Sequence, residues 1–222
     1  CCIFIAEFTE LHIKPGITAP YIPSSKAIYK EEILKVNGKV VYAKRLVMAM
    51  TELDYKWIKR QYHCDSCQIY NMLCFTRRRF PKFIRDKVME YFRMKTDLKT
   101  GDQRLYMAAK ALLNAIYGMS ASRIIRQSYK YDADLILTNQ EDTKEEQLEH
   151  FYNNYKSFLA YQLGVYVTAH ARNALMEMIE TVGYDRFLYC DTDSVFYMSD
   201  PDTEKRLEAM NAKIRERAEA AG

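Results

Sequence analysis

Stretches of two-residue apolar alternation, and stretches with an apolar residue every three or four positions, both occur along this chain. The first period is that of a half-buried strand, the second that of a helix. Ile3 to Ile13 reads as a strand ending at the Pro15-Gly16 turn. Ile33-Leu34-Lys35-Val36 and Val40-Val41-Tyr42 flank Asn37-Gly38, the dipeptide best suited to a two-residue hairpin turn. Thr51 with Asp54 forms a capping box for a helix through Tyr62. Cys67 to Phe75 reads as a further strand. Pro81 starts a helix with Ile84, Val88, Tyr91 and Phe92 on its apolar face, and Gln103 to Tyr117 forms another, stopped by Gly118. Gln140 to Glu149 is the most polar stretch and reads as an exposed insertion. Gly164 to Thr181 is a helix turning Val167, Ala171, Leu175 and Met178 toward a sheet. Arg186 to Cys190 and Val195 to Met198 make a second hairpin, and Pro201 begins a charged helix running to Gly222. The pattern predicts a mixed α+β fold.

The last hairpin carries chemistry at its tip, Tyr189-Cys190-Asp191-Thr192-Asp193-Ser194. In an extended segment Asp191 and Asp193 point the same way and Thr192 the other. Mg²⁺ is held by one or two carboxylates plus waters and substrate phosphates, and enzymes that clamp an in-line displacement hold paired metals roughly 3.5–4 Å apart. Such a site needs about three acidic groups, of which this hairpin offers two. Taken alone, an Asp-x-Asp sequence is more often an ordinary tight turn. A second constellation changes the balance. Lys110, Asn114 and Tyr117 fall on one helical stripe, at i, i+4 and i+7. A point charge, an amide and a ring make a set suited to a nucleotide's phosphates, polar edges and base or sugar. Its plain alternative is a solvated lysine beside a helix contact.

Together, Lys110-Ala-Leu-Leu-Asn114-Ala-Ile-Tyr117-Gly118 and the later Tyr189-Cys190-Asp191-Thr192-Asp193-Ser194 resemble the second and third polymerase motifs of family B DNA polymerases, K-x-x-x-N-S-x-Y-G and Y-x-D-T-D-S. The order matches, and the chain departs only by Ala115 where serine is commoner. Ile13-Lys14-Pro15-Gly16 leading to Pro20-Tyr21-Ile22-Pro23, and Ala160-Tyr161-Gln162-Leu163-Gly164 leading to Val167-Thr168-Ala169-His170-Ala171-Arg172, are similar to segments of the protein-primed branch found in small phages, adenoviruses and linear plasmids. A reverse transcriptase would show Y-x-D-D. A metal-dependent nuclease would leave the Lys110 stripe unexplained.

The resemblance implies part of a right-hand polymerase, palm and fingers, with an antiparallel palm sheet and insertion subdomains. It assigns residues 1–78 to a palm-adjacent insertion like the terminal-protein region, 79–122 to the fingers, 123–158 to a second insertion, and 159–222 to the palm and a trailing helix. By motif position, Asp193 is a catalytic metal ligand and Asp191 its acidic neighbour, serving two Mg²⁺ ions or Mn²⁺ in their place. Lys110 contacts the phosphates of an incoming dNTP. Asn114 and Tyr117 complete the nucleotide pocket, Tyr117 also crowding out a ribose 2′-hydroxyl. Lys95 is a second phosphate-binding lysine, a few residues off the small-phage spacing. Gly118, Tyr189, Thr192 and Ser194 support the motifs. The implied partners are a DNA template-primer, dNTP and a terminal protein primer.

In that family the third carboxylate belongs to an earlier D-x-x-S-L-Y-P-like motif, and no such string occurs between Cys1 and Lys110. The expectation is a fragment lacking the exonuclease domain, the first polymerase motif and the thumb, inactive by itself. The rival class is a catalytically incomplete relative that grips nucleic acid or a replication partner.

Bulk properties narrow this only slightly. The chain has 222 residues, 49% hydrophobic and 28% charged, enough for a core and unlike a disordered composition. A net charge of +4 is compatible with nucleic acid without being diagnostic. Eighteen tyrosines and ten phenylalanines supply core, with a few available for stacking. No apolar run is long enough for a membrane span, and the expected compartment is the cytoplasm, or the host-cell interior for a viral or plasmid enzyme, with nucleus and organelle open. Six cysteines include Cys64-Asp65-Ser66-Cys67, but no second pair follows to complete four ligands, so no zinc is expected. Arg77-Arg78-Arg79 reads as a solvated cluster that can also grip phosphates.

Overall fold

The computed structural model describes residues 1–76, 81–126, 128–131, 137–140, 143–154 and 161–221. Arg77-Arg78-Arg79 therefore lies outside the described residues, as do parts of the 123–158 and 140–149 segments. In chain order the elements are β1 (Cys2–Ile13), β2 (Tyr29–Val36), β3 (Lys39–Thr51), α1 (Glu52–Gln61), β4 (Tyr62–His63), β5 (Ser66–Cys74), α2 (Lys82–Asp97) and α3 (Gln103–Ser120). There follow β6 (Ser128–Tyr131), β7 (Leu137–Gln140), α4 (Lys144–Asn153), α5 (Tyr161–Val182), β8 (Phe187–Asp191), β9 (Ser194–Tyr197) and α6 (Pro201–Ala221). The fold is mixed, with every described strand pair antiparallel. Two units partition it: Cys1–Arg77 with Tyr166–Gly222, and Arg78–Val165.

The first unit is built on a sheet ordered β2-β3-β1, with β4 and β5 both pairing to the far edge of β1. Asn37 and Gly38 adopt φ of 48° and 75°, which gives the β2–β3 turn the positive φ that the dipeptide predicts. Phe4, Ala6 and Phe8 point from β1 to the core opposite Met50, Met48 and Leu46 of β3. Strict alternation would then send Leu11 outward. Glu10 takes a left-handed φ of 48° and resets the face, so Leu11 is fully buried. Helix α1 starts with the expected box: Thr51 Oγ1 accepts from the Asp54 amide at 3.3 Å, and the Thr51 amide donates to Asp54 Oδ2 at 3.0 Å. Its buried Trp57 and Ile58 meet Met176 and Ile179 of α5 in one core. Each such large side chain removed from water contributes about 1.5–3 kcal/mol.

The inward face of α5 differs from the predicted one. Ala169, Met176, Ile179 and Val182 are buried and Leu175 packs against the core, whereas Val167 and Ala171 are exposed. The polar side chains Arg172 and Asn173 lie on the inward side because distant partners satisfy them. Trp57 Nε1 donates to Asn173 Oδ1 at 2.9 Å, and Asn173 Nδ2 in turn to Glu177.

In the second unit α2 packs on α3. The less exposed residues of α2 are Ile84, Val88, Tyr91 and Lys95, with Phe92 at 49% exposure rather than on the packed face. Helix α3 runs through Gly118 to Ser120, where a stop at Gly118 was expected: that glycine is helical, and Ser120 Oγ and Ser122 Oγ bond back to the carbonyls of Tyr117 and Gly118. The polar 140–149 stretch includes most of a helix, α4, because Thr143 and Glu146 form a second capping box; its described residues are largely exposed, as expected. Gly164, early in α5, meets the end of α3 so closely that a Cβ there would stand 2.5 Å from Ala121 Cβ.

Candidate functional site

The acidic tip sits on the β8–β9 hairpin of the first unit. A register shift between Phe187 and Tyr189 changes which residues face inward, so Phe187, Cys190 and Val195 pack against the core. Leu188, Tyr189, Phe196 and Met198 remain exposed, with the Tyr189 and Phe196 rings 5.9 Å apart. The hairpin's base is tied down at both ends. Arg186 Nε lies 3.1 Å from Asp200 Oδ2, and Asp200 caps α6 through the Thr203 amide and hydroxyl.

At the tip Asp191 ends β8 opposite Ser194, and Thr192-Asp193 is the two-residue loop. Thr192 is left-handed, φ 51°. The expectation that Asp191 and Asp193 share a face by strand alternation is therefore corrected: the chain is turning, not extended, at Thr192. Asp191 accepts at Oδ1 from Thr192 Oγ1 at 3.0 Å, and its carbonyl accepts from Ser194 Oγ at 2.9 Å. Both carboxylates are exposed, and Asp193 has no hydrogen bond or ion pair among the described residues. These are hard oxygen donors with free lone pairs, the ligand type that suits Mg²⁺ or Mn²⁺. Among the described residues no three His, Cys, Asp or Glu side chains converge as a metal cluster.

On α3 the packed face consists of Tyr106, Ala109, Leu113, Ile116 and Ser120, and the stripe of Lys110, Asn114 and Tyr117 lies beside it, exposed. Among the described residues none of the three side chains has a hydrogen bond or ion pair. Asp102 begins this helix by accepting from the Arg104 amide at 2.8 Å and the Leu105 amide at 3.3 Å. Lys95 stands on α2 with Nζ 5.6 Å from the Phe92 ring centre.

One polar group near the core escapes pattern reading. Arg172 Nη2 donates to Asp54 Oδ1 at 2.7 Å and Nε to the same oxygen at 3.0 Å, while the Tyr21 hydroxyl donates to Asp54 as well. Burial alone would raise the Asp54 carboxyl, but the Tyr21 hydroxyl, the Thr51 amide and the Arg172 guanidinium outweigh it and hold it below the usual range. Lys26 and Lys39 lie in the same neighbourhood. Burial lowers both, and the like charge of Arg172 adds to the effect, opposed at Lys39 by Cys190 and at Lys26 by Asp54. Asp54 was legible as a cap, but no local signal ties it to an arginine 118 positions away.

Of the six cysteines, Cys67 packs against the core and lies 3.8 Å from the Tyr55 hydroxyl, and all six are free thiols. No described helix is long and apolar enough to cross a membrane.

No protein-family model matches the chain, and no curated protein sequence matches it. Solved structures do. Phi29 DNA polymerase complexed with primer-template DNA, a post-translocation binary complex, aligns at TM-score 0.60 and 22% identity, over 92% of this chain and 32% of that one. An orthorhombic crystal form of Phi29 DNA polymerase aligns at 0.57 and 22%, over 90% and 33%. The ternary complex of that enzyme with primer-template DNA and incoming nucleotide substrates aligns at 0.60 and 21%, over 90% and 32%. The chain thus spans about a third of the length of the structures it matches. At this identity the likeness is one of fold.

Proposed function

We propose that the chain is part of a DNA-directed DNA polymerase of the protein-primed kind, with fingers in 79–122, palm in 159–222, and the 1–78 and 123–158 segments as insertions. The observation that carries this reading is the hairpin tip: two exposed carboxylates at the apex of a bulged hairpin whose base is packed and braced. The likeness of fold supports it, and so does the exposed Lys110 stripe.

The reaction is attack of a primer hydroxyl on the α-phosphorus of a dNTP, with pyrophosphate leaving. Asp191 and Asp193 would hold Mg²⁺, two ions in the full site, which when bound acidifies the attacking hydroxyl and offsets the charge on the leaving oxygens. Lys110 supplies a fixed positive charge to the triphosphate, and having no partner among the described residues it surrenders none of them on doing so. Asn114 can both donate and accept at polar edges of the nucleotide, and the half-exposed Tyr117 ring offers a flat face to base and sugar. Lys95 serves as a further contact to phosphate. The first hydroxyl would come from a terminal protein side chain. Because no D-x-x-S-L-Y-P-like string between Cys1 and Lys110 supplies the third carboxylate of the family pattern, the 222-residue chain would bind nucleotide without turning it over.

Equilibrium binding of Mg²⁺·dNTP to this chain with a hairpin primer-template tests the reading. Retention that falls at least about tenfold in Lys110→Ala, with no primer extension, is the expected result; a charge-assisted bond contributes about 1.5–3 kcal/mol. Extension abolished by Asp193→Ala would overturn the claimed incompleteness. DNA binding indifferent to metal and dNTP would favour a merely gripping relative.

A further inference from the structure

Outside the hairpin and the α3 stripe, the first unit carries two thiols whose placement is that of a cross-strand bridge. Cys2 of β1 and Cys74 of β5 are register partners, and their Sγ atoms are 3.1 Å apart. The Phe75 amide donates to the Cys1 carbonyl at 2.8 Å, one residue beyond the pair on each strand. That bond makes Cys2 and Cys74 a non-hydrogen-bonded pair, the class whose opposed Cα atoms lie about 4.5 Å apart and whose side chains come closest. Disulfides span Cα separations of roughly 4.4–6.8 Å, so the strands need not move to admit one. The Cys2 amide is engaged on the opposite side, donating to Glu52 Oε2 at 2.9 Å, as a non-hydrogen-bonded pair requires. Cys74 is exposed and Cys2 half-buried, so a small reagent reaches them. Among the described residues no other two cysteine sulfurs are in contact.

We propose that Cys2 and Cys74 form an oxidative modification site, converted to an intrachain disulfide by a small-molecule disulfide of the glutathione type. One cysteine thiolate attacks the reagent, forming a mixed disulfide and expelling one glutathione thiolate; the second cysteine attacks that mixed disulfide and expels the other. Two cysteine thiols and one glutathione disulfide thus become one protein disulfide and two glutathione thiols. The hydrogen bond with Cys74 raises the Cys2 thiol above its ordinary value. The bridge staples β5 to β1 at its outer end. β5 has no second neighbour among the described strands, and Cys74 lies close before the chain leaves the first unit at Arg77.

The test is incubation of the whole 222-residue chain with glutathione disulfide, followed by non-reducing peptide mapping, free-thiol titration and thermal unfolding. The expected result is a Cys2–Cys74 cross-linked peptide, a fall from six titratable thiols to four, and a melting midpoint raised by roughly 5 °C or more. Cys74→Ser should lose the link and the rise, while Cys67→Ser keeps both; matching circular dichroism of the reduced variants shows that they fold. Stable glutathione adducts on Cys2 or Cys74, a link through Cys1, Cys64 or Cys67 instead, or a bridge that leaves the midpoint unmoved would overturn the proposal.

Discussion

In the first unit Asp54, Arg172, Gln61 and Asn173 lie in or against the core, and each has found partners. Gln61 accepts from the Tyr21 amide at 2.8 Å and donates to the Ala19 carbonyl at 3.1 Å and the Tyr184 hydroxyl at 2.9 Å. On α3 of the second unit, Lys110, Asn114 and Tyr117 stand exposed with no such partners among the described residues. A buried polar group without a partner costs about 1–3 kcal/mol, so the first set is held in place by the fold's own requirements. An exposed lysine and amide meet no such requirement. Their arrangement on one stripe is free to answer to a ligand, and the contrast separates residues that keep the fold from residues available to chemistry.

The comparison breaks most easily at Arg172. Arg172→Ala leaves Asp54 buried without its cation, and should cost about 3 kcal/mol in chemical denaturation. The same network predicts a pH dependence. A carboxyl whose folded pKa lies below its unfolded value of about 3.9 stabilises the fold above that value, and loses the contribution as pH falls through the folded pKa. Wild-type stability should therefore drop below about pH 4, and the drop should be shallower in Asp54→Asn, which is already destabilised at neutral pH. A parallel decline in both proteins would remove Asp54 from the explanation.

Gly164→Ala probes a close contact of α5 with the end of α3 in the second unit. The added methyl would meet Ala121 at 2.5 Å, partly against backbone, and the expected loss is roughly 1–3 kcal/mol. Lys110→Ala should move stability by less than about 0.5 kcal/mol, since no described partner is lost. If Lys110→Ala destabilises as much as Gly164→Ala, the stripe is structural and the contrast between the two units fails.

Elements governed by local chemistry were legible from the residues alone. The Asn37-Gly38 turn follows from the need for positive φ, and the Thr51–Asp54 box from two backbone donors at a helix start. The face of α5 was legible only in part: Leu175 packs inward as expected, but an inward arginine and asparagine look like a solvated side until Asp54 and Trp57 arrive from far along the chain. Strand alternation misjudged the acidic tip for a related reason: it assumes extended backbone, and Thr192 is left-handed. Of the candidate site, the residue types and the stripe on α3 could be read directly. The bulge that lets Cys190 face inward and leaves Tyr189 outside could not, since nothing in the local pattern marks where a register slips.

The most direct test of the proposed chemistry is Mn²⁺ binding followed by electron paramagnetic resonance, with Mn²⁺ standing in for Mg²⁺, in the presence and absence of dNTP. Wild type should bind Mn²⁺ more tightly when dNTP is present. Asp191→Asn with Asp193→Asn should lose that gain while retaining the wild-type melting midpoint within about 2 °C, the tip being exposed. Identical Mn²⁺ spectra and affinities in wild type and the double variant would contradict the assignment of the hairpin tip as the metal-holding part of a nucleotidyl-transfer site.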